Sequence, residues 1–511
     1  MGEKKLMEET RTQNSIRNVR TGAIVQFINK IMAFFVRTVF IKTLNTEYLG
    51  LNGLFTNILT MLAFSELGIG TAIIYSMYKP IAEDNREKIK SLLNLYKKCY
   101  FLIGLVIATI GICVIPFMRF FIKETPDVKE NIVFIYLLFL TNTATSYFFT
   151  YKRSIITAFQ KQSIINNIES VFVFIKSILE VLFLIITHNY IIYLFISIGI
   201  NFLCNLYISK EAEKLYPFII EKNIQNIDKS EKKSIFKNVK SLVVYKFGAV
   251  VLEGTDNILI SSLINVNMVG LCSNYTLIIQ AVKGVITTAL NGIIASIGNL
   301  NATNDKNRKE SILYELTFVY YIIYSFCCSF FITLLNPFIK IWLGDNFLLD
   351  FSVSIALACS FFIDGMRNPG FIYRTTLGLF SKGKITPYIA SIVNILTSIV
   401  LCKMVGVAGI FIGTCLAQLS SYVWIDPYLI YRYEFEKSPF KYYKKIVIYY
   451  ITFVLIIISS IFITSLFNYN GIIGLVVKAI LTGMVFAIIN IIIYYSSVEF
   501  SSLRRRLLGN R

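Results

Sequence analysis

The stretch Tyr48–Lys98, YLGLNGLFTNILTMLAFSELGIGTAIIYSMYKPIAEDNREKIKSLLNLYKK, decides the fold class. A short Gly-marked turn opens it, and an apolar run long enough to cross a bilayer follows. That run carries an acid, Glu66, within SELGIG and stops at Lys79-Pro80. A highly charged loop comes next, and Leu92–Tyr96 leads into another apolar run. Such alternation fits a chain that crosses hydrocarbon repeatedly as helices, whose backbone polar groups are satisfied within each segment.

A weaker copy of the same pattern starts at Met268 (MVGLCSNYTLIIQ) and reaches a charged loop, NDKNRKE, at Asn304. Gly50-Leu51 matches Gly270-Leu271 at a shift of 220. At a shift of 221, Asp84 falls on Asp305, Pro116-Phe117 on Pro337-Phe338, Arg119 on Lys340 and Arg153 on Arg374. Apolar coincidences between two Ile/Phe-rich stretches carry little weight. Matches of Gly, Pro, Asp and Arg at a nearly constant shift indicate duplication.

Composition agrees with the membrane reading. The chain has 511 residues, 55% of them apolar, a mean hydropathy of +0.64 and only 16% charged residues, against roughly 25% in soluble domains. Fourteen apolar segments are marked, near 19–41, 49–78, 99–121, 132–150, 164–186, 190–208, 241–263, 269–298, 313–337, 351–373, 386–403, 407–430, 447–467 and 471–497. The expected fold is an all-α integral membrane protein of fourteen transmembrane helices. Two parallel six-helix repeats, an N-lobe at 19–208 and a C-lobe at 241–430, are followed by two additional helices within 447–497. The tail 1–18, the linker 209–240 and the basic tail 498–511 are expected in the cytoplasm.

Charge supplies the orientation. With the N-terminus inside, 36 of the 50 Lys and Arg fall in cytoplasmic loops and tails, and only Lys123, Lys129 and Lys340 lie within outer loops, with Lys42, Arg119 and Lys403 at their edges. That is the asymmetry of the positive-inside rule, and it puts both termini in the cytoplasm. Six spans per repeat is an even number, so both halves insert the same way. A pseudo-twofold axis along the membrane normal then places a substrate site between the halves, as in parallel-repeat transporters.

The net charge of +20 is spread over many short loops rather than gathered in one patch, so no nucleic-acid partner is expected. Nine cysteines form no CxxC pair and sit mostly in apolar runs, which reads as small hydrophobes without a disulfide framework or metal site. His188 is the only histidine and lies beside an expected outer loop, which argues against His-based catalysis. No cleavable leader is evident in the sequence given.

Eight basic residues lie within the spans: Arg20, Lys30, Arg37, Lys176, Lys246, Lys283, Arg367 and Lys478. Each costs about 2.5–3.5 kcal/mol at a helix centre on insertion scales, so such residues face a protein interior or a wet cavity. Lys30 and Arg37 are seven apart and share a face with Gln26. In the matching seventh segment, Lys246, Glu253 and Asp256-Asn257 repeat that face. Gln280, Lys283, Thr287 and Asn291 form a stripe, as do Asn166, Glu169-Ser170, Lys176 and Glu180. Asp364 and Arg367-Asn368 lie one turn apart, just before Pro369-Gly370, where a break or kink is expected. Arg20 and Lys246 have a plain reading as snorkelling helix ends, and Lys176 with Glu180 as an i,i+4 pair. Lys30, Arg37, Lys283 and Arg367 are the candidate cationic cavity, because both halves contribute. Glu66, Glu253, Asp256 and Asp364 either balance that charge or bind a coupling Na⁺ or H⁺; structural pairing is an equal alternative for each. A cavity lined by Arg and Lys suits an anionic group, and Arg suits bidentate phosphate contacts.

The run Glu47–Lys98 resembles the N-terminal signature of bacterial polysaccharide (O-antigen or capsule) repeat-unit flippases. These form the polysaccharide transporter family of the multidrug/oligosaccharidyl-lipid/polysaccharide (MOP) exporter superfamily. The stretch Thr255–Tyr275, TDNILISSLINVNMVGLCSNY, and the fourteen-helix plan with two six-helix halves are similar too. The resemblance implies a flippase of the bacterial cytoplasmic membrane. It would move undecaprenyl-diphosphate-linked oligosaccharide repeat units from the inner to the outer leaflet by alternating access, for surface polysaccharide biosynthesis. It implies no cofactor beyond a coupling Na⁺ or H⁺, and polysaccharide polymerase machinery as a partner. The family's carrier-binding residues cannot be matched position by position here, so the four basic candidates rest on the stripes alone.

Two other readings compete. A cation-coupled drug or small-molecule exporter of the same superfamily would be expected to have twelve spans. A membrane polysaccharide polymerase or ligase would need a sizeable outer loop, and the longest here spans about thirteen residues, 338–350. No hydrolytic, transferase or Walker motif is present, so a secondary-type transporter is expected rather than an enzyme.

Overall fold

The computed structural model describes residues 28–66, 69–221, 227–301, 305–379, 382–467 and 471–508. Among them there are helices and turns and no strand. The chain divides into two compact units, Met1–Gly270 and Leu271–Arg511.

In the first unit, helix α1 covers 28–43, α2 is Thr46–Leu62 and α3 is Ile69–Ala82. Then come α4 (Arg86–Val114), α5 (Ile132–Ala158), α6 (Gln162–Thr187), α7 (Tyr190–Leu215), α8 (Lys229–Leu263) and the start of α9 (Val266–Asn301). Asparagine begins helix after helix. Its side chain accepts from backbone N–H groups of the first turn at Asn45, Asn85, Asn131 and Asn189, with distances of 2.8–3.3 Å. Each cap satisfies donors that no helical carbonyl can reach. The first-unit core is built from α2, α4, α5 and α7, around Leu51, Leu54, Phe55, Tyr96, Tyr136 and Tyr190, all buried. Helix α8, the first of the expected second repeat, packs on α2 within this unit, where Asn57 Nδ2 donates to the Gly254 carbonyl at 3.3 Å.

The second unit continues α9 and adds α10 (Lys306–Trp342), α11 (Phe351–Thr376), α12 (Thr386–Val405), α13 (Val407–Ser420) and α14 (Tyr422–Ile430). A π turn, Tyr431–Phe435, follows, then α15 (Phe440–Ser465), α16 (Gly471–Tyr494) and α17 (Val498–Leu508). Helices α12 and α13 form a tight hairpin about Gly406, whose φ of +64° is one that L side chains rarely adopt. Helix α11 packs between α10 and α13. Gly365 permits that approach: a Cβ there would lie 2.0 Å from the Tyr324 ring. The added pair α15 and α16 seats against α10, and Phe453 of α15 stacks on Phe362 of α11 at 3.8 Å between ring centroids.

Ten of the described helical stretches are long and apolar enough to cross a membrane. The molecule is a multi-pass helical membrane protein. In the other four expected spans the described residues are helical too, over 28–43, Thr46–Leu62 with Ile69–Ala82, Lys229–Leu263 and Phe351–Thr376. These helices hold every candidate site residue except Lys283 and Glu66, which lies in the turn between two of them. In Phe351–Thr376 the charges that nominate Asp364 and Arg367 for function also dilute the hydropathy.

Two local expectations are corrected. The segment 49–78 is two helices rather than one, with a 3₁₀ turn at Ala63–Glu66 that puts Glu66 at the break. Helix α11 runs on through Pro369-Gly370 to Thr376 instead of breaking there.

The two repeats share their local devices. Asn45 caps α2, and Asn265, 220 residues later, accepts from Met268 N at 2.9 Å at the start of α9. Asn85 and Asp305 stand at the same shift and cap α4 and α10. Near the start of each of those helices a buried lysine reaches an acid beyond the repeat's sixth expected span: Lys90 bonds Glu221 at 2.8 Å, and Lys309 bonds Glu434 at 2.5 Å.

Candidate functional site

In the second unit, α9 supplies Lys283 and α11 supplies Asp364 and Arg367, one turn apart. The structure brings all three together. Lys283 Nζ lies 2.5 Å from Asp364 Oδ2, while Arg367 Nε and Nη2 each lie 2.8 Å from Asp364 Oδ1. The guanidinium also sits over the Tyr422 ring, 4.7 Å from its centroid, a cation–π contact that holds the plane of the fork. Two cations on one carboxylate leave the cluster with a net charge of +1. Side-chain exposure rises from 12% at Asp364 through 18% at Arg367 to 33% at Lys283, so Lys283 is the open end of the cluster.

Two turns further along α11, Arg374 pairs with Asp426 of α14 at 2.9 Å, with 0% and 1% side-chain exposure. Arg374 Nη1 also approaches the Gly383 carbonyl at 3.4 Å. Gly370 makes room for Asp426, because a Cβ there would lie 3.3 Å from the aspartate's own Cβ. This pair fastens α14 to α11 and is sealed from any ligand.

In the first unit, Lys30 and Arg37 lie half-buried on α1. Glu66, at the α2–α3 break, accepts from Tyr100 at 2.7 Å and from Tyr147 at 2.8 Å. Gly70 leaves space for this cage: a Cβ would sit 2.6 Å from the Tyr100 hydroxyl and 2.7 Å from that of Tyr96. Asp256 is half-buried on α8. The side chains of Lys246, Glu253 and Asn291, and residues Arg20 and Gln26, lie outside the described residues. Of the eight candidate residues, Lys283, Asp364 and Arg367 therefore form one cluster, and Glu66 has its own hydroxyl cage.

A second polar feature of the first unit was partly visible as the stripe on α6. Glu169 pairs with Arg153 at 2.6 Å. Together with Lys176, Asn29, Asn142, Asn201 and Asn205, Glu169 lines a cavity of about 390 Å³ bounded by α1, α5, α6 and α7. The asparagines drew no attention singly. Asn201 and Asn205 stand at i,i+4 in an apolar helix, and that spacing was the available signal. Among the described residues no group of three or more His, Cys, Asp or Glu could hold a metal ion.

No family model and no curated protein matches the chain. Solved structures do. A structure titled lipid II flippase MurJ, inward closed conformation, superposes with a TM-score of 0.63 at 17% identity, covering 93% of this chain and 98% of the other. The fold is that of MOP-superfamily transporters. An inward-facing MATE multidrug resistance transporter of that superfamily gives 0.57 at 13% identity over 79% of this chain and 97% of its own. A mutant of the Vibrio cholerae MATE transporter VcmN gives 0.56 at 12% identity over 83% and 98%. At these identities the MOP likeness establishes fold rather than substrate.

Proposed function

We propose that the chain is a flippase for a polyprenyl-diphosphate-linked saccharide, moving it across the bacterial cytoplasmic membrane by alternating access with both termini in the cytoplasm. The observation that carries this reading is the Lys283–Asp364–Arg367 cluster: a net cation on helices expected to span the membrane, one-third open at Lys283, in a transporter fold. Ionisable side chains on membrane-spanning helices mark substrate and ion pathways. A diphosphate whose lipid tail stays in the bilayer supplies the complementary anion. Asp364 then does two jobs. It keeps both cations in place in the empty protein, and it limits the net charge, so that a bound diphosphate can leave again. The transported lipid-linked saccharide would pass to polymerase machinery on the outer face.

The test is translocation of fluorescent undecaprenyl-diphosphate oligosaccharide in proteoliposomes. Removing one charge-assisted contact of about 1.5–3 kcal/mol predicts a loss of roughly tenfold or more in Lys283→Ala and Arg367→Ala. Arg367→Lys keeps the charge without the planar fork and is expected to fall between. Wild-type rates in both alanine variants would sink the assignment. A second reading, a cation-coupled exporter, is favoured by the Glu66 cage, in which two tyrosine hydroxyls hold one carboxylate. Transport of small cations with no movement of the lipid substrate would select it.

A further inference from the structure

The Asn-lined cavity of the first unit has no place in the cluster chemistry above. Asn142 lies near the middle of α5, and Asn201 and Asn205 lie near the middle of α7. Asn29 comes from α1, and its Oδ1 is buried with no hydrogen-bond partner. The side-chain amides of Asn142, Asn201 and Asn205 likewise make no hydrogen bond to another described residue. Amides on helices expected to span a membrane are normally bonded, because hydrocarbon offers them nothing. Four of them facing one space therefore provide donors and acceptors for whatever fills it.

Charge narrows the occupant. Glu169 is spoken for by Arg153 at 2.6 Å. Lys176 stands one turn from Glu180, close enough for their charges to interact. The two charged residues on the cavity wall, Glu169 and Lys176, carry opposite charges. A diphosphate finds no net attraction there, and a metal cation meets Lys176 on the wall. An apolar molecule would leave the amides desolvated and unpaired. What remains is an uncharged, hydroxyl-rich ligand, since a sugar hydroxyl both donates to an amide oxygen and accepts from an amide N–H. The volume, about 390 Å³, falls in the ordinary range for small-molecule sites and fits a short saccharide.

We propose that this cavity is a saccharide subsite that binds hydroxyls of the substrate's sugar headgroup. The subsite rests on the lipid-linked-saccharide reading of the function. Its chemistry predicts that the protein senses the presence of sugar on the lipid, independently of the diphosphate.

Cys204 lines the same cavity and provides the readout. The full-length protein, with every other cysteine changed to alanine, is placed in nanodiscs free of sugar detergents. The rate of Cys204 alkylation by N-ethylmaleimide is followed with two probes, undecaprenyl diphosphate and undecaprenyl-diphosphate-linked N-acetylglucosamine. Alkylation scales with the unoccupied fraction, so the sugar-bearing lipid at ten times its Kd should slow it by about tenfold. The bare lipid should leave it unchanged. Asn142→Leu with Asn201→Leu, or the milder Asn205→Ser, should remove the protection while leaving affinity for bare undecaprenyl diphosphate intact. Equal protection by both lipids, protection by neither, or protection by Na⁺ without lipid each overturns the subsite. Affinity for bare undecaprenyl diphosphate, and its dependence on Lys283, is measured in parallel. Its absence would sink the flippase reading instead, which keeps the two failures apart.

Discussion

Arg374 and Arg367 sit two turns apart on one helix and pair with aspartates, yet their surroundings separate their roles. Arg374 is sealed on Asp426, whereas Arg367 shares Asp364 with a lysine that is one-third open. A buried ion pair is weak evidence of net stability, but removing one partner strands the other charge and costs about 3–5 kcal/mol. Arg374→Ala should therefore lower thermal stability in detergent sharply and cut the yield of folded protein. Arg374→Met with Asp426→Leu should recover most of that loss, since the double variant leaves no uncompensated ion. A single variant as stable as wild type would show that water or lipid reaches the pair. In the sequence, Arg374 drew notice only as the repeat partner of Arg153. Burial is decided by α14 folding back on α11, and no spacing in either segment announces that.

Helices were legible because bilayer-length apolar runs and Asn caps are local signals, and their interruptions were less so. Ala63–Glu66 reads as part of a continuous apolar run, and its 3₁₀ turn becomes visible only with Tyr100 and Tyr147 holding Glu66. The four cavity asparagines are similar: they come from three separate runs, and only the i,i+4 pair Asn201 and Asn205 forms a pattern before packing puts them together. The Gly-marked turn expected at Tyr48–Gly53 is helix instead, within Thr46–Leu62, and glycine there serves close approach. Within the first unit the starts of α2 and α9 cross reciprocally. A Cβ on Gly50 would lie 2.0 Å from the Val266 carbonyl oxygen, and one on Gly270 would lie 2.2 Å from that of Thr46. Thr46 and Val266, like Gly50 and Gly270, are 220 apart, so one contact is made twice by repeat-related residues. Backbone cannot yield as a flexible side chain does. Gly50→Ala and Gly270→Ala should each destabilise by about 1–3 kcal/mol, the usual cost of overpacking. Thermal unfolding of the two variants in detergent checks this, and a matched pair of shifts would show that the two halves of the crossing are equivalent.

At the scale of the whole molecule, parallel repeats make a demand that local structure does not. The clamps Lys90–Glu221 and Lys309–Glu434, each on a buried lysine, do the same job near the starts of α4 and α10. If the halves insert with the same orientation, both clamps lie on the cytoplasmic side, and the loops after α4 and after α10 lie outside. Glu124 and Asn346 are exposed in those two loops, and Glu83 and Arg308 are exposed beside the caps of α4 and α10. An even number of spans between the repeats puts Glu124 and Asn346 on one face and the other pair opposite, whereas an odd number splits both pairs. With native cysteines changed to alanine, Glu124→Cys and Asn346→Cys should react with a membrane-impermeant maleimide on intact cells. Glu83→Cys and Arg308→Cys should react only after permeabilisation. The helices α1, α2 with α3, and α8, whose described residues do not make up a full apolar span, are the ones this parity tests. If any one of them failed to cross, the loops beyond it would change sides and the labelling would show it. Opposite labelling of Glu124→Cys and Asn346→Cys would break the parallel-repeat plan, and with it the expectation of a substrate path between two like-oriented halves.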